Sequence, residues 1–228
     1  MRICRSRRSG DEIPVFLRET GGKAAKLRMK PGVLYIHGRG GSAAEAARFL
    51  PLFPGRDVVG MDYQAATPWE AKEEFRRFYG GFAASHGAVT LVANSIGAYF
   101  AMHALNDVPL EKAYFISPVA DMATLIEGMM AKAGVSEEEL CARGTVDVGG
   151  EVLSWKYLTW VRAHPVVWRT PTAILYGSAD GLQSGEVIGA FAARIGASLT
   201  VMEGGEHWFH TPEQMRFLDA WLRTEENG

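Results

Sequence analysis

Short apolar runs alternate with helix-start signals along most of this chain, and that alternation restricts it to one fold class. Residues 33–37, 57–61, 88–93, 112–116, 172–176 and 198–202 are brief runs dominated by aliphatic and aromatic side chains. They read as strands buried on both faces rather than on one. Ser42 with Glu45, and Thr67 with Glu70, match a capping box, in which a hydroxyl and a carboxylate satisfy each other's backbone N–H groups. The first continues as a helix over 46–52, and Pro68 occupies the first helical position of the second. Helices are predicted over 96–105 and from about 184 to 195, and Thr211 caps a last one ending near Arg223. Parallel strands need a crossover, and each crossover helix covers a sheet face. The expected class is therefore α/β, with a mostly parallel central sheet and helices on both faces. The chain has 228 residues. At about 150 residues per domain, a single domain spanning 1–228 is expected. An antiparallel strand over 13–19, paired with residues 2–8, is expected at the start.

One stretch breaks the rhythm. Residues 121–169 hold no clear sheet strand. They contain Met122, Met129 and Met130, a capping box at Ser136 and Glu139, a Gly-rich turn over 144–150, and Trp155, Tyr157, Trp160 and Trp168. Two or three short helices fit this pattern. Excursions of that length between strands are usually functional. The expectation is a small helical cap over the strand ends, with Trp155, Tyr157, Trp160 and the methionines lining a largely apolar pocket.

Charge excludes one class of partner. Lys and Arg total 24 against 26 Asp and Glu, a formal net charge of −2, so no positive excess is available to hold a phosphate backbone, and no nucleic-acid partner is expected. Arg2, Arg5, Arg7 and Arg8 read as a solvated first strand. Cys4 and Cys141 cannot build a disulfide framework or a Cys-rich metal site, and fit free thiols in a reducing compartment. Between Arg77 and Asp107 the chain carries no charged Asp, Glu, Lys or Arg, but Gly80, Gly81, Gly87, Asn94, Ser95 and Gly97 punctuate it as helix, strand, turn and helix. No apolar segment follows the N-terminal arginines as in a secretory signal. A cytoplasmic protein with no membrane association, no metal and no organic cofactor is expected; the sequence leaves its oligomeric state open.

The most informative segment is 92–98. A predicted strand runs straight into a helix with Ser95 at the bend, flanked by Ala93 and Gly97. A serine hydroxyl is a weak nucleophile and must be fixed, exposed and aimed at a base. A sharp strand-to-helix turn lifts it above the sheet, and small flanking residues relieve the crowding. This segment resembles the nucleophile elbow of the α/β-hydrolase superfamily, with Ala93 where the family most often has glycine. The likeness runs from about residue 31 to the end.

That resemblance implies a serine hydrolase in which Ser95, Asp180 and His207 form a triad, in the family's chain order of nucleophile, acid and base. Asp180 follows the 172–176 run and His207 follows the 198–202 run, so both fall at carboxyl ends of strands. Asp121 is an alternative acid and His210 an alternative base. Segment 37–42, His-Gly-Arg-Gly-Gly-Ser, implies oxyanion donors at the backbone N–H groups of Arg39 and Ile96. The Arg39 side chain points either to solvent or to an acidic substrate group. His37, Gly38, Ser117, Trp155, Trp160 and Trp208 are the expected pocket residues. The implied reaction is cleavage of a carboxylic ester or related acyl bond of a small lipophilic or aromatic substrate through an acyl-enzyme; amide, thioester and carbon–carbon substrates stay open. A non-catalytic binding protein on the same fold is one alternative. The other is a dinucleotide-binding oxidoreductase, because Gly38, Gly40 and Ala43 meet the spacing of a nucleotide-binding turn and Asp62 ends the next strand.

Overall fold

The computed structural model describes residues 29–227. The N-terminal strand pair, the arginine cluster and Cys4 lie outside the described residues. Six parallel strands form the central sheet: β1 (Gly32–Ile36), β2 (Asp57–Met61), β3 (Val89–Asn94), β4 (Lys112–Ile116), β7 (Thr172–Gly177) and β8 (Ser198–Met202), in the order β2-β1-β3-β4-β7-β8. The chain steps from β1 outward to β2, then returns to the other side of β1 with β3. That reversal opens a crevice beyond the carboxyl ends of β1 and β3, which is where open α/β sheets bind ligands.

Side chains alternate between two cores, as the pleat requires. Leu34, Ile36, Leu91, Phe115 and Ile174 face one side, where they meet α1 (Pro68–Ser85), α2 (Ser95–Ala104) and α6 (Gly185–Ile195). Val33, Tyr35, Val92, Tyr114 and Leu175 face the other. There they meet a 3₁₀ helix (Ala43–Leu52) and α7 (Pro212–Asn227). The helices sit where their apolar stripes direct them. In α1, Ala71, Phe75, Tyr79, Phe82 and Ala83 recur at helical spacing and are buried. Thr67 caps this helix: its hydroxyl accepts from Glu70 N–H, and Glu70 accepts from Thr67 N–H. The segment after Ser42 keeps its start signal, since Glu45 accepts from Ser42 N–H, but winds as a 3₁₀ helix with Pro51 inside rather than as an α-helix. Proline removes an N–H donor and crowds the preceding turn of an α-helix.

Residues 121–169 contain three helices, α3 (Met122–Ala133), α4 (Glu137–Arg143) and α5 (Trp155–Ala163). They also contain an antiparallel hairpin, β5 (Thr145–Asp147) with β6 (Val152–Ser154), which forms a separate small sheet. The hairpin corrects the reading of 144–150 as a turn alone. Each strand has three residues, too few for an alternating pattern to register. Met122, Ile126, Met130, Leu140, Leu158 and Val161 are buried in the same core as α1 and α2. Trp160 lies against Trp69 of α1 and His103 of α2, and Tyr157 meets the Trp69 ring edge-on.

His103 closes this junction. It sits in the last turn of α2, where the helix dipole favours a charged imidazole. Burial opposes that charge and dominates: with His164 and Lys72 adding repulsion, the imidazole is held down to about 4 from an ordinary 6.5. Among the described residues its buried Nε2 has no partner. In this range the unfolded chain binds a proton that the folded chain does not. Stability is therefore fully present above pH 6.5 and falls as pH drops toward 4. The expected loss is on the order of 2 kcal/mol. His103→Phe removes that part of the slope in thermal melts taken across the window, whereas an unchanged slope would reject the assignment.

Candidate active site

Ser95 begins α2 directly at the end of β3. Its φ is +51°, a left-handed conformation that a serine adopts only under constraint. The constraint is visible at Gly97, where a Cβ would collide with the backbone carbonyl oxygen of His37. The elbow is thus pressed against the loop after β1, and glycine is required there. Gly97→Ala is expected to destabilise the fold by about 2–4 kcal/mol through backbone overpacking, read as a lowered unfolding midpoint.

The loops after β7 and β8 are laced together. Ser178 N–H donates to Met202 O, Ala179 N–H to Gly205 O, and Gly204 N–H to the Ser178 hydroxyl. A Cβ at Gly177 would strike the Gly205 carbonyl. This close approach sets Asp180 beneath His207. Asp180 Oδ2 accepts from His207 Nδ1 at 2.6 Å, and His207 Nε2 is 2.8 Å from Ser95 Oγ. Nδ1 therefore carries the proton, and Nε2 is the acceptor facing the hydroxyl. The Asp180 side chain is 1% exposed. Its other oxygen accepts from Leu182 N–H at 2.7 Å and Gln183 N–H at 3.4 Å. Gln183 is buried and spans two loops, accepting from Ala120 and Asp121 N–H and donating to Asp121 O.

The rivals for these positions are occupied elsewhere. Asp121 caps α3, accepting from Thr124 N–H and its hydroxyl. His210 stacks on Trp208, and its Nδ1 takes part in a hydrogen bond with Trp208 O.

Ser95 and His207 open onto a cavity of about 390 Å³ that Gly38, Arg39, Glu45, Asn94, Leu182 and Trp208 help to line. Of the expected pocket residues, Gly38 and Trp208 are in it. His37, Ser117, Trp155 and Trp160 are not. His37 is buried, stacked on Tyr63, with Nδ1 bonded to Gly38 O, so it supports the loop from behind. Ser117 is buried with φ +43°, and its hydroxyl has no partner among the described residues. Trp155 and Trp160 pack 121–169 onto the core, and Met129 lines a separate cleft of about 620 Å³ between α3, α4 and β5. Aromatic side chains at a domain's edge are as readily used for docking one element on another as for a ligand. The Arg39 guanidinium points to solvent, where it forms an exposed pair with Glu151 at the hairpin turn. Glu45, Asn94 and Leu182 were not anticipated. Only Leu182, an apolar residue two positions after Asp180, carried a signal; it is 48% exposed.

Backbone N–H groups at the start of α2 lack intrahelical partners, so Ile96 N–H is available beside Ser95. Arg39 N–H has no backbone acceptor among the described residues. The nucleotide-binding reading of this loop fails on the same count of donors. Asp62 accepts from Ala43 N–H and Glu45 from Ser42 N–H. Two carboxylates thus hold the turn where a pyrophosphate would sit. Among the described residues, no cluster of three or more His, Cys, Asp or Glu side chains could hold a metal ion, and no helix is long and apolar enough to cross a membrane.

The sequence matches no protein-family model and no curated protein. Solved structures match over most of the chain. Est1E from Butyrivibrio proteoclasticus superposes with a TM-score of 0.69 at 15% identity, covering 87% of this chain and 88% of that one. Mouse alpha/beta hydrolase domain-containing protein 10 gives 0.68 at 16%, covering 86% and 90%. The esterase domain of a Rhodothermus marinus protein gives 0.59 at 16%, covering 87% and 88%. The chain has the α/β-hydrolase fold. Within that fold the six described strands supply the parallel sheet, and the elbow at Ser95 stands at its reversal point.

Proposed function

We propose that this chain is a serine hydrolase that cleaves a carboxylic ester of a small lipophilic or aromatic acid. The observation that carries the reading is the hydrogen-bonded series from Ser95 through His207 to Asp180 at the mouth of a cavity. His207 Nε2 takes the Ser95 proton as the oxygen attacks the acyl carbon. Asp180 holds the imidazole in the tautomer that leaves Nε2 free and stabilises the imidazolium. The oxyanion is received by the N–H groups of Arg39 and Ile96. His207 then protonates the departing alcohol, and the same base activates water against the acyl-enzyme. Residues 121–169 serve as a cap packed on α1 and α2, with the exposed Arg39–Glu151 pair joining its hairpin turn to the loop after β1. The partner is a small acyl substrate, and the chemistry needs no cofactor. One neighbouring structure is of Est1E with ferulic acid bound, which favours an aromatic acyl group among the possible ones.

The alternative is a binding protein that keeps the fold without turnover. A fluorophosphonate probe separates the two. Stoichiometric labelling, mapped to Ser95 by peptide mass, is the expected result; an unlabelled, folded protein would end the hydrolase reading.

A further inference from the structure

The charges around the cavity do not balance. Glu45 lines it and, among the described residues, forms no ion pair. Its carboxylate is held by two neutral donors, Tyr35 Oη on one oxygen and Ser42 N–H on the other. Burial and the adjacent carboxylate push the Tyr35 phenol up, so it stays protonated and donates without cancelling the charge. The guanidinium that lines the same cavity, Arg39, is turned to solvent and pairs there with Glu151 rather than with Glu45. Beside Glu45, Asn94 Nδ2 is bonded to Tyr35 Oη while its Oδ1 is buried without a donor. The wall near the nucleophile therefore offers a carboxylate that no cation pairs with among the described residues. The rim opposite is apolar: Leu182 is 48% and Trp208 71% exposed.

Such a wall gives an uncharged ester nothing to pair with. It suits a substrate that brings its own positive charge. We infer that the preferred substrate is an ester carrying a protonated amine close to the scissile carbonyl, with Glu45 as the residue that selects it and the Trp208–Leu182 rim taking the apolar part. This rests on the serine hydrolase reading and adds the substrate class to it. A carboxylate–ammonium contact at a partly solvated site supports a preference of about tenfold.

The test compares matched pairs of esters. In one pair, the para-nitrophenyl ester of γ-dimethylaminobutyric acid is set against its carbon isostere, with CH in place of the protonated nitrogen. In the other, the dimethylaminoethyl ester of butyric acid is set against the isopentyl ester, which places the charge on the alcohol side. The wild-type protein is expected to show kcat/KM about tenfold higher for the cationic member of at least one pair, and the advantage is expected to shrink with added salt. Glu45→Gln brings the ratio to about one, and Glu45→Asp retains part of it. A ratio is insensitive to loss of folded protein, so a merely structural role for Glu45 would leave it unmoved. Equal rates in both pairs, or a preference that survives Glu45→Gln, overturn the inference. Fluorophosphonate labelling run alongside separates that failure from failure of the hydrolase reading: labelled protein without a charge preference is a hydrolase of another specificity, and unlabelled protein removes both.

Discussion

Ser95→Ala abolishes fluorophosphonate labelling and lowers kcat/KM on a responsive ester by about 10⁵- to 10⁶-fold, the scale seen when a serine nucleophile is deleted from a comparable triad. The residual rate should still exceed that in water, because the oxyanion donors survive. The same position yields a stability result that a passive serine would not. Ser95 is held at φ +51°, a region that costs a side-chain-bearing residue about 1 kcal/mol or more and glycine almost nothing. Alanine shares the strain, and glycine relieves it. Ser95→Gly should therefore be as inactive as Ser95→Ala yet melt higher, by an amount equivalent to about 1 kcal/mol. Differential scanning of the three proteins reads the order directly. Equal melting of the two variants would mean that the elbow stores no strain, and retained turnover in either would move the nucleophile elsewhere.

What could be read from residue order divides along physical lines. The six strands of the sheet were readable because each is a compact apolar run bounded by turn residues; β1, β3, β4 and β7 are buried on both faces, whereas the edge strands β2 and β8 are only partly buried. The elbow was readable for a similar reason: Ala93, Ser95 and Gly97 lie within one turn of chain, so the demand for small residues is local. The convergence of Asp180 and His207 on Ser95 was carried by the family resemblance, since no local signal says that Gly177 abuts Gly205. Trp155 and Trp160 mark the other limit. Their size predicts burial but not the neighbour, and they found Trp69 and His103 instead of the cavity. Glu45 was visible only as a helix cap. Its second exposure, to the cavity at Ser95, depends on how the loop after β1 folds back over β3. The hairpin over 145–154 was too short to announce itself.

Asp180→Asn should retain the fold and lose about ten-thousand-fold in rate. The argument turns on which way the new amide faces. In the wild-type protein one carboxylate oxygen accepts from Leu182 and Gln183 N–H, and the other from His207 Nδ1. An asparagine must keep its single carbonyl oxygen toward the two backbone donors, because leaving a buried N–H unpaired costs about 1–3 kcal/mol. Its NH₂ is then turned to His207. The imidazole can accept that hydrogen only through a deprotonated Nδ1, which moves the ring proton to Nε2 and points a donor at Ser95 Oγ. The hydroxyl loses its base while every heavy atom stays in place. Stability is expected to change by less than about 1 kcal/mol, since the number of hydrogen bonds is conserved. Asp180→Ala offers the contrast: it leaves Leu182 and Gln183 N–H groups unpaired, so it should be both inactive and less stable. If Asp180→Asn instead kept a tenth or more of the wild-type rate, the imidazole would not depend on this carboxylate for its tautomer, and the acid of the series would have to be sought at another residue.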